Sequence, residues 1–344
     1  MDTLSRRNFL NKALLLLSSA VVFPNESEAA IHAGLSVIEQ GRSGSYPSYL
    51  KLFDTGELSQ RAEKLYSFYE NCRLCPRDCR VNRLNGQTGK CEATAKLKIS
   101  SAVPHFGEEA PLVGKGGSGT IFFSHCGLRC VYCQNYTISI EGEGIEVTDE
   151  RLAESMLKLQ KWGCHNINIV TPTHYVPSLV NALRTAIPMG LRIPLVYNTG
   201  GYEQLEVLQF LEGIIDIYLP DCKYMDPMKA GMYSSEAYNY PHYVKIALKE
   251  MHRQVGDLEV RKGVAVRGLI LRHLVLPHRI AGTQELCKFV AENLSKSTYV
   301  NIMRQYRPEH RAREYPEIAR RISRKEYEEA LSWAKHYGLH RLAK

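Results

Sequence analysis

Short apolar runs alternate with stretches of helical period over most of the second half of this chain. Strands are expected where four to seven residues are continuously apolar or β-branched: "TIFFS" (120–124), "INIV" (167–170), "PLVYNT" (194–199), "IIDIYL" (214–219), "LILRHLV" (269–275) and "YVNIM" (299–303). Between them, apolar positions recur with a period near 3.6, which predicts helices over Glu150–Trp162, Ser178–Ile187, Gln204–Leu211, Tyr243–Val255 and Gln284–Leu294. Strand and helix in alternation read as βα units, so the fold class is α/β with a parallel sheet. Six strands are too few to close an eight-stranded barrel, and an open-sided (β/α)6 arrangement is expected.

The flanks of this core read differently. Residues 1–29 carry a paired Arg6-Arg7, an apolar run from Ala13 to Phe23 and small residues at Ser27-Glu28-Ala29. The apolar run is too short to span a bilayer comfortably, and the pattern resembles a twin-arginine signal peptide with Asn11 where lysine is usual. That resemblance implies export across the cytoplasmic membrane of a protein already folded around its cofactors. The cytoplasm is the alternative location. Residues 30–70 read as a helical or linker segment, 71–118 as a cysteine-rich module, 119–310 as the barrel and 311–344 as a basic helical segment. No transmembrane span is expected.

Composition narrows the class. The 344 residues are 44% apolar and 23% charged, ordinary for a globular enzyme rather than a disordered chain. The net charge of +8 is not supplied by the leader, where Arg6, Arg7 and Lys12 balance Asp2, Glu26 and Glu28. Much of it falls between Arg304 and Lys325, where eight basic residues face Glu309, Glu314 and Glu317. This reads as a solvated helical face. Tyr306 and Tyr315 lie in the same segment, but no recognisable RNA-binding module accompanies them, so a nucleic acid is not the expected partner.

Seven of the ten cysteines lie within Cys72–Cys133, in two groups separated by "GKGGSG" (114–119). Cys72, Cys75, Cys79 and Cys91 are even in number and suit either two disulfides or one metal, zinc or an iron–sulfur cluster. Thiols so close in sequence favour the metal. Cys126, Cys130 and Cys133 leave one sulfur over in any disulfide scheme. Their spacing would place them on one helical face, but Gly127 interrupts the first turn such a helix needs. A loop wrapping three thiolates around a [4Fe–4S] cluster fits better and leaves one iron without a protein ligand. Cys164, Cys222 and Cys287 are expected in the core, and none of His105, His125 and His174 is assigned as a ligand.

Cys-x-x-x-Cys-x-x-Cys after the first strand, with Tyr132 before the last cysteine, resembles the signature of the radical S-adenosylmethionine superfamily. "CPRDCRVNRLNGQTGKC", "VTPTHY", "VYNTGGYE", "LPDCKY", "LRHLVLPH" and "VNIMRQYRP" together resemble its pyruvate formate-lyase activating enzyme-like branch. The resemblance implies a partial TIM-type barrel of the radical SAM type. It also implies S-adenosylmethionine chelated to the unique iron, and reductive cleavage to a 5′-deoxyadenosyl radical that abstracts hydrogen, as in activation of a glycyl radical enzyme. A one-electron donor such as flavodoxin or ferredoxin and a protein substrate are the implied partners. Radical modification of another peptide, a small molecule or RNA is the alternative, and a non-catalytic iron–sulfur electron-transfer protein is the reading from another class.

Sites on βα barrels gather at the C-terminal ends of the strands. That rule selects Thr171 and Thr173, Asn198 and Thr199, Asp221 and Lys223, and Arg272 and His273. The resemblance adds that Tyr132 packs beside the adenine, that Asn135 lies among the cofactor-binding residues and that Lys223 helps hold S-adenosylmethionine. It places a monovalent cation beside Asp221, Asn198 and Thr199. Thr171-Pro172-Thr173 stands where related enzymes carry Gly-Gly-Glu, so amino-group recognition falls to threonine hydroxyls or backbone carbonyls.

Overall fold

The computed structural model describes residues 47–343. The leader expected over residues 1–29, and the part of the following segment up to residue 46, lie outside the described residues. Residues 47–343 belong to one compact unit. It is α/β, built on a nine-stranded mixed sheet that does not close on itself.

The strands are β1 (Lys98–His105), β2 (Ser118–Phe123), β3 (Ile145–Glu146), β4 (Ile167–Val170), β5 (Leu195–Thr199), β6 (Ile217–Pro220), β7 (Glu259–Arg261), β8 (Val264–Leu274) and β9 (Tyr299–Met303). Along the sheet the order is β3-β1-β2-β4-β5-β6-β8-β7, with β9 also paired to β8. Every pairing from β2 through β4, β5, β6 and β8 to β9 is parallel, and these six are the strands read from the sequence. β1 pairs antiparallel with β2, β3 with β1, and β7 with β8. The run read as a strand from Ile214 is strand from Ile217, and just before it the Asp216 carboxylate accepts from the backbone N–H groups of Ser48 (2.8 Å) and Leu195 (3.1 Å).

Parallel strands of this kind are covered on both faces, which is why their sequences are continuously apolar. On one face Ile121, Ile169, Tyr197 and Tyr218 join the main core beneath the helices Glu57–Tyr66, Asp149–Lys161 and Val176–Ala186. On the other, Val196, Ile217, Leu219 and Ile270 pack around Leu112 of the short helix Ala110–Val113, which lies in the connection from β1 to β2. A third set of apolar side chains backs the loop after β2. It unites Leu128, Val131 and Tyr132 with the helices Pro227–Tyr233, Tyr240–Val255, Thr283–Asn293 and Arg324–His336.

The helices expected from periodicity are present to within three residues at their starts, as in Tyr240–Val255 for a helix read from Tyr243. The basic C-terminal segment contains Arg324–His336, opened by a capping box of Ser323 and Glu326. Among the described residues, no helix is long and apolar enough to cross a membrane.

Candidate active site

The loop leaving β2 carries Cys126, Cys130 and Cys133 back across the sheet end. The chain can turn so sharply because His125 and Arg129 adopt left-handed backbone (φ 73° and 48°) on either side of Gly127. The loop is tied by its backbone at Val131, between the second and third cysteines. Val131 donates to the Tyr233 carbonyl and accepts from Arg311 N–H, each at 2.9 Å. All three cysteines are free thiols.

Each sulfur faces polar company. Ser234 Oγ lies 3.0 Å from Cys130 Sγ, and Ser139 Oγ 3.0 Å from Cys133 Sγ. Backbone N–H groups of Leu128 and Arg129 serve Cys126, and that of Asn135 serves Cys133. Burial pushes all three thiols above their ordinary range, and the Lys223 ammonium draws each of them back. The donor set therefore fits thiolates, whose charge hydroxyls, amides and an ammonium can share. Among the described residues, no group of three or more His, Cys, Asp or Glu side chains is arranged to hold a single metal ion.

Beside the trio, the end of β6 presents Asp221 and Lys223 on one side of the strand. Lys223 Nζ pairs with Asp221 at 2.7 Å, and Arg272 Nε of β8 reaches the other carboxylate oxygen at 2.8 Å. Burial raises the Asp221 carboxyl, but Arg272 and Lys223 together outweigh it and hold it below the usual carboxylate range. Arg272 also donates to Asn198 Oδ1 at 2.6 Å and stands 3.7 Å from Glu108. Glu108 is in turn 2.9 Å from His105 Nδ1. One guanidinium thus joins the ends of β5, β6 and β8 to the connection from β1.

The threonines are organised by a carboxylate that sequence reasoning missed. Glu203, 1% exposed, accepts from Thr173 Oγ1 at 2.7 Å, from Tyr197 OH at 3.1 Å and from Thr199 Oγ1. Burial pushes its carboxyl up to about 7 against those three hydroxyl bonds. The only signal was a glutamate two residues after "GG" in an otherwise apolar stretch. Thr171, left-handed at φ 60°, donates its N–H to the Asn198 carbonyl at 2.8 Å.

The sequence-derived residues divide accordingly. The three cysteines, Asp221, Lys223, Asn198 and Arg272 share one neighbourhood, and Thr173 and Thr199 share Glu203. Tyr132 is buried with its ring edge-on to Tyr224 (6.3 Å) and Tyr306 (5.8 Å). The Asn135 side chain is exposed at the start of the turn Tyr136–Ser139. Cys222 faces the opposite way from Asp221 and Lys223 and is fully buried, and Cys164 and Cys287 lie in the core. His174 donates Nε2–H to the Ser124 carbonyl (2.8 Å), and burial lowers its pKa to about 3, so it stays neutral.

The cysteine quartet abuts this site. Arg77 donates to the Gly127 carbonyl and to the Ser234 carbonyl, both at 2.9 Å, and Cys75 Sγ lies 3.7 Å from where a β-carbon on Gly127 would stand. A cavity of about 30 Å³ is lined by Cys75 and Cys91 on one side and Cys126, Thr171, Thr173 and Thr199 on the other. That is room for a water and not for a nucleoside.

No family model matches this chain. Over 292 residues it is 34% identical to the "Uncharacterized protein MJ0674" of Methanocaldococcus jannaschii, a match that spans 82% of this chain and 79% of that protein. The chain therefore belongs to the same family as that archaeal protein.

Proposed function

We propose that this protein is a radical S-adenosylmethionine enzyme whose six parallel strands form an open (β/α)6 barrel. The observation that carries the reading is the meeting of three free thiols on the loop after β2 with the Asp221–Lys223–Arg272 charge cluster at the ends of β6 and β8. Lys223 belongs to both, since the Cys130 sulfur and the Asp221 carboxylate each raise its pKa against burial. Cys126, Cys130 and Cys133 would hold a [4Fe–4S] cluster, which when bound supplies the electron that splits S-adenosylmethionine into methionine and a 5′-deoxyadenosyl radical.

The chain's own residues would bind and position. The Lys223 ammonium is the group able to meet a carboxylate next to the thiols, while Asp221, with two cations of its own, keeps that ammonium in place. Arg272 locks Asp221 and Asn198 in one plane across three strands. Glu203 fixes the Thr173 and Thr199 hydroxyls, leaving their lone pairs as acceptors for an amino group. The small size of the cavity implies that the surrounding loops part when the nucleotide enters.

Anaerobic reconstitution with iron and sulfide, followed by assay for 5′-deoxyadenosine with a chemical reductant, tests this. The expected result is about four irons at this site and formation of 5′-deoxyadenosine. Cys126→Ala, Cys130→Ala and Cys133→Ala should each abolish the product. A reconstituted wild-type protein that yields none, and whose reduced paramagnetic spectrum S-adenosylmethionine leaves unchanged, would sink the proposal.

A further inference from the structure

The second group of cysteines surrounds a residue that its sequence spacing does not explain. Arg83 is only 2% exposed, and its Nε donates to Cys72 Sγ at 2.9 Å while one Nη donates to Cys91 Sγ at 3.1 Å. Its other Nη meets the Ala93 carbonyl. Among the described residues no carboxylate pairs with it. A guanidinium does not lose its proton, and burying one without a counter-charge is strongly unfavourable. The groups placed against that charge are the two sulfurs.

The other two sulfurs are provided for in the same way. Lys90 N–H points at Cys79 Sγ (3.4 Å), and Arg77 N–H bonds to Cys75. Every sulfur of the four therefore receives an N–H donor. Gly89 is what lets Cys79 in, since a β-carbon there would come within 2.6 Å of its sulfur. Left-handed backbone at Asp78, Arg80 and Glu92 folds the intervening segments back on themselves. A neutral thiol is a weak acceptor, whereas N–H groups aimed at sulfur are the usual outer shell of a metal-bound thiolate.

We infer that Cys72, Cys75, Cys79 and Cys91 form a tetrathiolate metal centre of their own, with Arg83 as its buried counter-cation. The inference goes beyond the radical-enzyme reading and does not depend on it. The ligand class is a thiophilic metal: zinc, or iron alone or as an iron–sulfur cluster. In the zinc case the four sulfurs bind as thiolates, any protons they carry pass to solvent, four S–Zn bonds form and no electron moves. The sulfurs do not yet stand as a finished cage, so binding draws them together around the ion.

The test uses the full chain carrying Cys126→Ala, Cys130→Ala and Cys133→Ala together, purified anaerobically and analysed for zinc and iron. We expect it to retain one metal centre. Zinc without visible absorption, or iron with sulfur-to-iron charge-transfer bands, distinguishes the two sources. Cys72, Cys75, Cys79 and Cys91 should resist iodoacetamide until a chelator is added, and adding Cys72→Ala should abolish the metal. Arg83→Gln should surrender the metal to a competing chelator about 10- to 100-fold more readily. A triple variant free of zinc and iron, with the four thiols freely alkylated or joined as disulfides, overturns the inference. An Arg83→Gln protein that binds as tightly as its parent overturns the role of Arg83. If the wild type makes no 5′-deoxyadenosine while the triple variant keeps its metal, the reading in the previous section falls and this one stands.

Discussion

At the scale of single residues, Glu203 governs how this site responds to pH. Its carboxyl, ordinarily near 4.5, sits at about 7 in the folded protein because burial outweighs three hydroxyl donors. At low pH both folded and unfolded chains hold the proton, so nothing is lost. Between about 4.5 and about 7 the unfolded chain releases it and the folded one does not, so stability falls with rising pH and levels off above that window. The fall is about 3 kcal/mol for this one group. Glu203→Gln should flatten it, leaving stability at pH 8 close to that at pH 5 when urea unfolding is compared at the two values. Equal slopes in variant and wild type would show that Thr173, Thr199 and Tyr197 are not held by a titrating carboxyl. Residues such as this one were the least legible in the sequence. Cysteines at positions 126, 130 and 133 announce themselves by spacing, and Asp221 and Lys223 by standing at a strand end. Glu203, Glu108 and Arg83 matter through partners from 3 to more than 160 residues away, and no local pattern encodes that.

At the scale of elements, the helix Ala110–Val113 carries weight out of proportion to its four residues. Leu112 is fully buried against Val196, Ile217 and Ile270, and its carbonyl accepts from Asn166 Nδ2 at 2.8 Å. It fills one face of the sheet between strands whose ends build the site. Leu112→Ala should cost about 2 to 4 kcal/mol, read as a lower urea midpoint with an unchanged slope. A loss below about 0.5 kcal/mol would mean that the face repacks without it. The six parallel strands were readable because being covered on both faces leaves them continuously apolar. β1 was not: "KISSAVPH" has two serines and a proline, and its burial is mostly partial. It exists because β2 supplies a partner from Ile99 to His105, and Pro104 is tolerated where β3, which pairs only with Lys98 and Ile99, has already ended.

At the scale of the whole molecule, the chain end is part of the sheet's support. The Val300 N–H of β9 donates to the Arg341 carbonyl, and Ala343 N–H returns to the Val300 carbonyl, both at 2.9 Å. Arg341 reaches the Ser297 and Leu258 carbonyls, joining the segments that lead into β9 and β7. Truncation after Leu339 should lower stability by about 2 kcal/mol, visible as a shifted thermal midpoint. An unshifted midpoint would reduce these bonds to decoration of a sheet edge that stands alone. The basic segment before it is less exposed in charge than composition implies, since Arg311 pairs with Glu314, Arg320 with Glu326 and Arg324 with Glu328.

Arg77 sits two residues from Cys75 and reaches over to grip the carbonyls of Gly127 and Ser234, the first inside the three-cysteine loop and the second beside it. A side chain so placed makes a lever of the segment between the two sulfur nests. It spans from the Cys75 turn to the backbone next to Cys126 and to the serine whose hydroxyl faces Cys130. One guanidinium thus clasps the two cysteine-bearing segments to each other, and its loss would leave both backbone carbonyls to find another donor.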